Sequence, residues 1–98
     1  MRESTIENHL VQRVKELGGE VRKVKWIGRH GAPDRLVMFP SSMERTMMLG
    51  PGTIWVELKA PGEKAKPHQL REHARMRAMG QQVEVIDSIE GVEALLNA

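Results

Sequence analysis

Thr53-Ile54-Trp55-Val56-Glu57-Leu58-Lys59-Ala60, closed by Pro61-Gly62, reads as a β-strand, and its reading decides the fold. Side chains alternate across a strand. Ile54, Val56, Leu58 and Ala60 therefore share one face, and Trp55, Glu57 and Lys59 share the other. The first face is uniformly apolar and requires a helix packed against it. The second sets a carboxylate and an ammonium beside an indole on a strand that reads as interior. Burying an ion is costly unless it is paired or binds metal. Two readings follow: a Glu57–Lys59 ion pair on a solvated sheet surface, or a site with a function.

Asp34 bears on that choice. It follows Pro33, which holds Ala32 extended, and it opens a strand over Arg35 to Phe39 that should be the hairpin neighbour of the Glu57 strand. In the right register Asp34 comes within reach of Glu57 on one face. Two converging carboxylates with a lysine nearby make a hard-oxygen site suited to Mg²⁺ or Mn²⁺. The plain alternative for Asp34 is a turn residue after proline.

The rest of the order follows outward. Ser4-Thr5-Ile6-Glu7 has the capping-box form, and Ile6, Leu10, Val11, Val14 and Leu17 recur at helical spacing up to Gly18-Gly19. Glu20 to Ile27 reads as a lysine-bearing edge strand. The loop Gly28 to Pro33 and the polar connection Ser41 to Gly52 flank the second strand. Pro67 opens a helix that runs through His68 to Met79, Gln82 to Ile86 forms a fourth strand, and Asp87 or Ser88 caps a last helix carrying Ile89, Val92, Leu95 and Leu96 inward. The order is αβββαβα, an α/β fold with a mixed sheet flanked by helices.

A chain of 98 residues, 40% of them apolar, with one Phe and two Trp, supports a single domain over 1–98 with a small core. A partner chain would help such a core. The absence of Cys excludes a disulfide scaffold and a thiol enzyme. No 18-residue apolar run and no signal peptide appear, so no membrane is expected as a partner and the cytoplasm is the expected compartment. The net charge of +2 hides an asymmetry: residues 1–80 carry all 15 Lys/Arg against nine Asp/Glu, while residues 81–98 carry four acids and no base. A positive body with a negative tail suits a polyanionic partner.

Pro33-Asp34 followed by Glu57-Leu58-Lys59 resembles the PD-(D/E)XK nuclease superfamily. With Gly31-Ala32-Pro33-Asp34-Arg35, Ala60-Pro61-Gly62, Gln69 at the start of the next helix, and Gly80 before Val83 and Val85, the whole chain resembles the VRR-NUC (virus-type replication-repair nuclease) family. The resemblance implies a restriction-endonuclease-like core and a metal-dependent, structure-selective DNA endonuclease of bacterial or phage origin. It implies Asp34, Glu57 and the Leu58 backbone carbonyl as ligands of one or two Mg²⁺ or Mn²⁺ ions, with Glu7 as a first-helix ligand. Glu3 shares the Glu7 face and competes for that role, and the capping box is the structural alternative for Glu7. Lys59 would orient or deprotonate the attacking water, and Gln69 would position substrate. Stand-alone members imply a homodimer acting on branched or four-way junction DNA.

Sequence-independent backbone contacts are expected from Lys23, Lys25, Arg29 and Arg35 on one side and Lys64, Lys66 and Arg71 on the other, with Arg22, Arg75 and Arg77 in support. His68 and His73 fall on different helix faces and lack a zinc spacing. Met43, Met47 and Met48 read as loop packing or a dimer surface. Two other readings remain: a non-catalytic nucleic-acid-binding module on a degenerate nuclease fold, and an archaeal-type Holliday-junction resolvase.

Overall fold

A computed structural model describes residues 1–40 and 52–97. Met43, Met47 and Met48 lie outside the described residues. The elements are α1 (Glu3–Glu16), β1 (Glu20–Lys23), β2 (Arg35–Met38), β3 (Thr53–Leu58), α2 (Pro67–Ala78), β4 (Val83–Ile86) and α3 (Ile89–Leu96). They follow the αβββαβα order expected from the sequence. The strands form one sheet in the order β1-β2-β3-β4, antiparallel except for the parallel pair β3 and β4. A parallel neighbour needs a crossover, and α2 supplies it. The lysine-bearing β1 is an edge and β3 is interior.

The sheet separates two unlike layers. On one face, Ile54, Val56 and Leu58 of β3, with Val37 and Ile86, pack against Ile6, Leu10 and Val14 of α1 and Val92 and Leu96 of α3. This is the hydrocarbon core that the β3 alternation required. Val11, expected to point inward, is 42% exposed, because the i, i+4, i+8 stripe of Ile6, Leu10 and Val14 already fills the contact. The other face is covered by α2, whose buried residues are Glu72, His73 and Met76. Two of those three are ionisable.

Three local readings are corrected. The first strand ends at Lys23, not Ile27. Val24 still extends the ladder by donating to the Asp34 carbonyl at 2.9 Å, but Trp26 turns inward and its indole Nε1 donates to the Pro33 carbonyl at 2.8 Å. The capping box is also absent: α1 starts at Glu3 with Arg2 as its N-cap and no side-chain cap bond. Glu7 instead accepts from the Arg35 guanidinium, a charge-assisted bond that outcompetes a neutral amide. At the last helix Ser88 is the cap, its Oγ accepting from the Gly91 amide at 2.8 Å.

Gly31 ties the loop before β2 to the start of α2. Its φ is +84°, and a Cβ there would lie 2.8 Å from the His68 carbonyl oxygen and 3.0 Å from Gln69 Cα. Only glycine combines that conformation with so close an approach. Among the described residues no helix is long and apolar enough to cross a membrane.

Candidate active site

The β2–β3 register pairs Arg35 with Val56 and Leu36 with Trp55. Continued by one residue, it sets Asp34 across from Glu57. The two carboxylates thus lie near one another where β2 begins and β3 ends, close enough for the Asp34 charge to act on Glu57. Asp34 Oδ2 lies 3.0 Å from Arg35 Nη1, but Asp34 Oδ1 and Glu57 Oε1 are buried without a hydrogen-bond partner. Buried acceptors are nearly always satisfied, so two orphans in one site are what a bound group would account for.

His73 of α2 closes the site from behind. It is fully buried, its Nε2 lies 3.7 Å from Glu57 Oε1, and the Gly31 backbone lies close enough to favour its charged form. At 3.7 Å the pair is in electrostatic contact but not hydrogen-bonded. Burial, reinforced by the Asp34 charge, pushes the Glu57 carboxyl up to about 7, against the opposing pull of Lys59 and Arg35. Burial, aided by the Arg77 charge, pushes the His73 imidazole down. Desolvation thus disfavours the charged form of both groups, with nearby opposite charges offsetting it only in part.

The donor set fits a divalent cation. Two neighbouring carboxylates, each with one buried oxygen that accepts no hydrogen bond and one of them raised chiefly by burial, are what a hard cation relieves. Leu58 follows Glu57 at the end of β3 with its side chain in the core. Glu7, expected to join the ligands, has its carboxylate engaged by Arg35 and 4.0 Å from Lys23. Glu3, on the exposed first turn of α1, is close enough to raise the Glu57 pKa. Among the described residues no three acidic or histidine side chains converge as a ready-made ligand group.

The other site residues divide. Lys59 stands half-buried just beyond β3, where its charge favours ionised Glu57, and its amide donates to the Ile86 carbonyl at 2.9 Å. Gln69 Oε1 accepts from the Lys66 amide at 2.8 Å, so this residue caps α2, next to Gly31. Lys23, Lys25, Lys64, Lys66 and Arg71 are exposed, as backbone contacts require. Arg35 is not: with 11% of its side chain exposed, it bridges Glu7 and Asp34. Its guanidinium braces the site, whereas the expected DNA-facing lysines point outward. Arg29 is partly exposed but hydrogen-bonded to Glu72.

His73, Glu72 and Trp26 were not singled out as site residues from sequence. For His73 the signal was its spacing from Met76, which puts both on one face of α2. For Trp26 there was none, since its bond to Pro33 depends on β1 ending early.

No protein-family model matches the chain. A curated relative named "Putative nuclease p44", from Acyrthosiphon pisum secondary endosymbiont phage 1, is 50% identical over 88 residues, covering 90% of this chain and 85% of the relative. A solved structure described as a "VRR_NUC domain" superimposes with a TM-score of 0.79 at 38% identity, covering 97% of this chain and 94% of its own.

Proposed function

The chain belongs to the VRR-NUC family and is a nuclease by that kinship, and from this premise we propose that it is a metal-dependent, structure-selective DNA endonuclease. Its substrate is branched or four-way junction DNA, its cofactor is Mg²⁺ or Mn²⁺, its working form is a homodimer, and it acts in the cytoplasm of a bacterium. One observation supports the metal dependence: Asp34 and Glu57 lie close enough for the charge of one to raise the other, and each has a buried oxygen that accepts no hydrogen bond.

Asp34, Glu57 and the Leu58 carbonyl would hold the ion, which when bound supplies positive charge at the scissile phosphate and an acidified water. The side chains do the rest. Lys59 orients the attacking water and offsets charge growing on the phosphoryl oxygens. Arg35 fixes Asp34 from one side, and Trp26 fixes the loop before it through Pro33. His73 and the covering helix keep bulk water from Glu57. Structure selectivity accords with a surface of exposed lysines, which grip phosphates without reading bases. The bacterial setting accords with a phage-encoded relative.

A cleavage panel of four-way junctions, flaps, splayed arms and plain duplex, with Mg²⁺, Mn²⁺ or chelator, tests the reading. Branched DNA is cut with either ion and spared in chelator, and Asp34→Asn cuts nothing while still binding the junction. Undiminished cleavage in chelator or by Asp34→Asn would contradict it.

A further inference from the structure

Both tryptophans of the chain sit together beside the site. The Trp26 and Trp55 rings lie 5.1 Å apart, tilted by 49°. Each indole N–H is already bonded internally, Trp26 Nε1 to the Pro33 carbonyl at 2.8 Å and Trp55 Nε1 to Gln81 Oε1 at 3.0 Å. The rings are thereby fixed, and what they offer outward is carbon surface. Together with Met76 and Met79 of the α2 side they line an open cavity of about 420 Å³. Met79 is 69% exposed. Trp55 stands two residues before Glu57 on the same face of β3, about 7 Å along the strand.

A second cleft of about 250 Å³ adjoins this one, lined by Arg29, His30, His68, Arg71 and Arg75. Arg29 and Glu72 belong to both. Buried Glu72 accepts from Arg29 Nη2 at 2.7 Å and from Arg75 Nε at 2.9 Å, which holds its carboxyl below the usual range. One carboxylate thus fixes two guanidinium groups and leaves the cleft cationic. An aromatic, apolar cavity next to a basic one has the two chemistries of a nucleotide.

We propose that the Trp26–Trp55 cavity and the adjoining Arg29–Arg71–Arg75 cleft form a nucleotide subsite, taking one unpaired nucleobase against the indoles and its phosphate against the arginines. The inference rests on the nuclease reading and deepens it. The subsite lies one nucleotide's reach from Glu57, so a strand bearing an unpaired base next to the cut is held where a fully stacked duplex is not. Base–aromatic stacking is tolerant of sequence, so the preference is for an open nucleotide and not for a particular base.

Tryptophan fluorescence tests this directly, because both indoles belong to the cavity. The full chain is titrated in chelator with a splayed-arm DNA, and with the same DNA made abasic in its unpaired arm. The base-bearing DNA quenches emission and binds about 5- to 100-fold more tightly than the abasic form. Trp55→Ala erases that preference and Trp55→Phe retains most of it. Equal quenching and equal affinity for the two DNAs would overturn the subsite. So would an emission change on concentrating the protein without DNA, which would give the cavity to a second copy of the chain. Cleavage of both DNAs at equal rates with Mg²⁺ would remove the subsite and leave the nuclease reading standing. Base-dependent quenching with no cleavage under any divalent ion would keep the subsite and remove the nuclease.

Discussion

Glu93 and Glu57 are carboxylates on opposite sides of one sheet, and the fold treats them in opposite ways. On the α1–α3 side, Glu93 is saturated: it accepts from Arg13 Nε at 2.9 Å, His9 Nε2 lies 2.8 Å away, and Asn97 donates at 3.2 Å. Arg13 and His9 together hold its pKa down at about 2. On the α2 side, Glu57 is 6% exposed and meets an imidazole at 3.7 Å and another acid across the strand. Burial and the Asp34 charge raise it to about 7. One face satisfies its polar groups and holds the fold together; the other keeps orphans at a cost in stability. That asymmetry separates scaffold from site.

Substitutions at the two acids should break the comparison most sharply. Glu57→Gln and Lys59→Met each lower junction cleavage by at least about 100-fold, whereas Glu93→Gln leaves the rate per folded molecule unchanged, as a cleavage assay normalised to folded protein would read. Equal losses in Glu57→Gln and Glu93→Gln would erase the distinction.

Next in size is stability against pH, where the signs oppose. Glu57 has an ordinary value of 4.5 and a folded value of about 7. Between them the folded chain keeps a proton that the unfolded chain has lost, so this group's contribution falls as pH rises through that window and is fully lost above it. The penalty is roughly 3 kcal/mol by pH 8. Glu93 has an ordinary value of 4.5 and a folded value of about 2; its contribution is present above 4.5 and lost as pH falls towards 2. Chemical denaturation across pH, without divalent ions, should show Glu57→Gln flattening the neutral slope and Glu93→Gln the acidic one. Glu57→Gln raises the melting temperature at pH 8 by less than the full penalty, since its amide stays poorly partnered.

A smaller contrast sharpens the same boundary. Gly31 and Gly62 share almost the same backbone, φ +84° and +83°, but a Cβ at Gly62 meets nothing within 4 Å. Gly62→Ala costs about 1–2 kcal/mol for its left-handed conformation and leaves cleavage intact. Gly31→Ala costs more and slows cleavage, because the added methyl drives α2 away from the loop that carries Asp34.

Most of the scaffold was legible because it rests on periodicity: the Ile54, Val56, Leu58 alternation and the Ile6, Leu10, Val14 stripe each bury one face. The Asp34–Glu57 approach was legible as well, since a hairpin register follows from strand order. The partners were not. Whether Glu7 bonds the Ser4 amide, a metal or Arg35 depends on where the β2 guanidinium lands, which no local pattern encodes. The burial of His73 depends on α2 covering the polar face of the sheet, which its spacing from His68 does not encode.

The Asp34–Glu57 pair is proposed as a cation site. A calorimetric titration of Mn²⁺ into the full chain at pH 8 tests it most directly, with Glu57→Gln and Glu93→Gln alongside. Saturable binding is expected in the unaltered chain and in Glu93→Gln, and none in Glu57→Gln. Binding of equal affinity in all three, or in none, would contradict it.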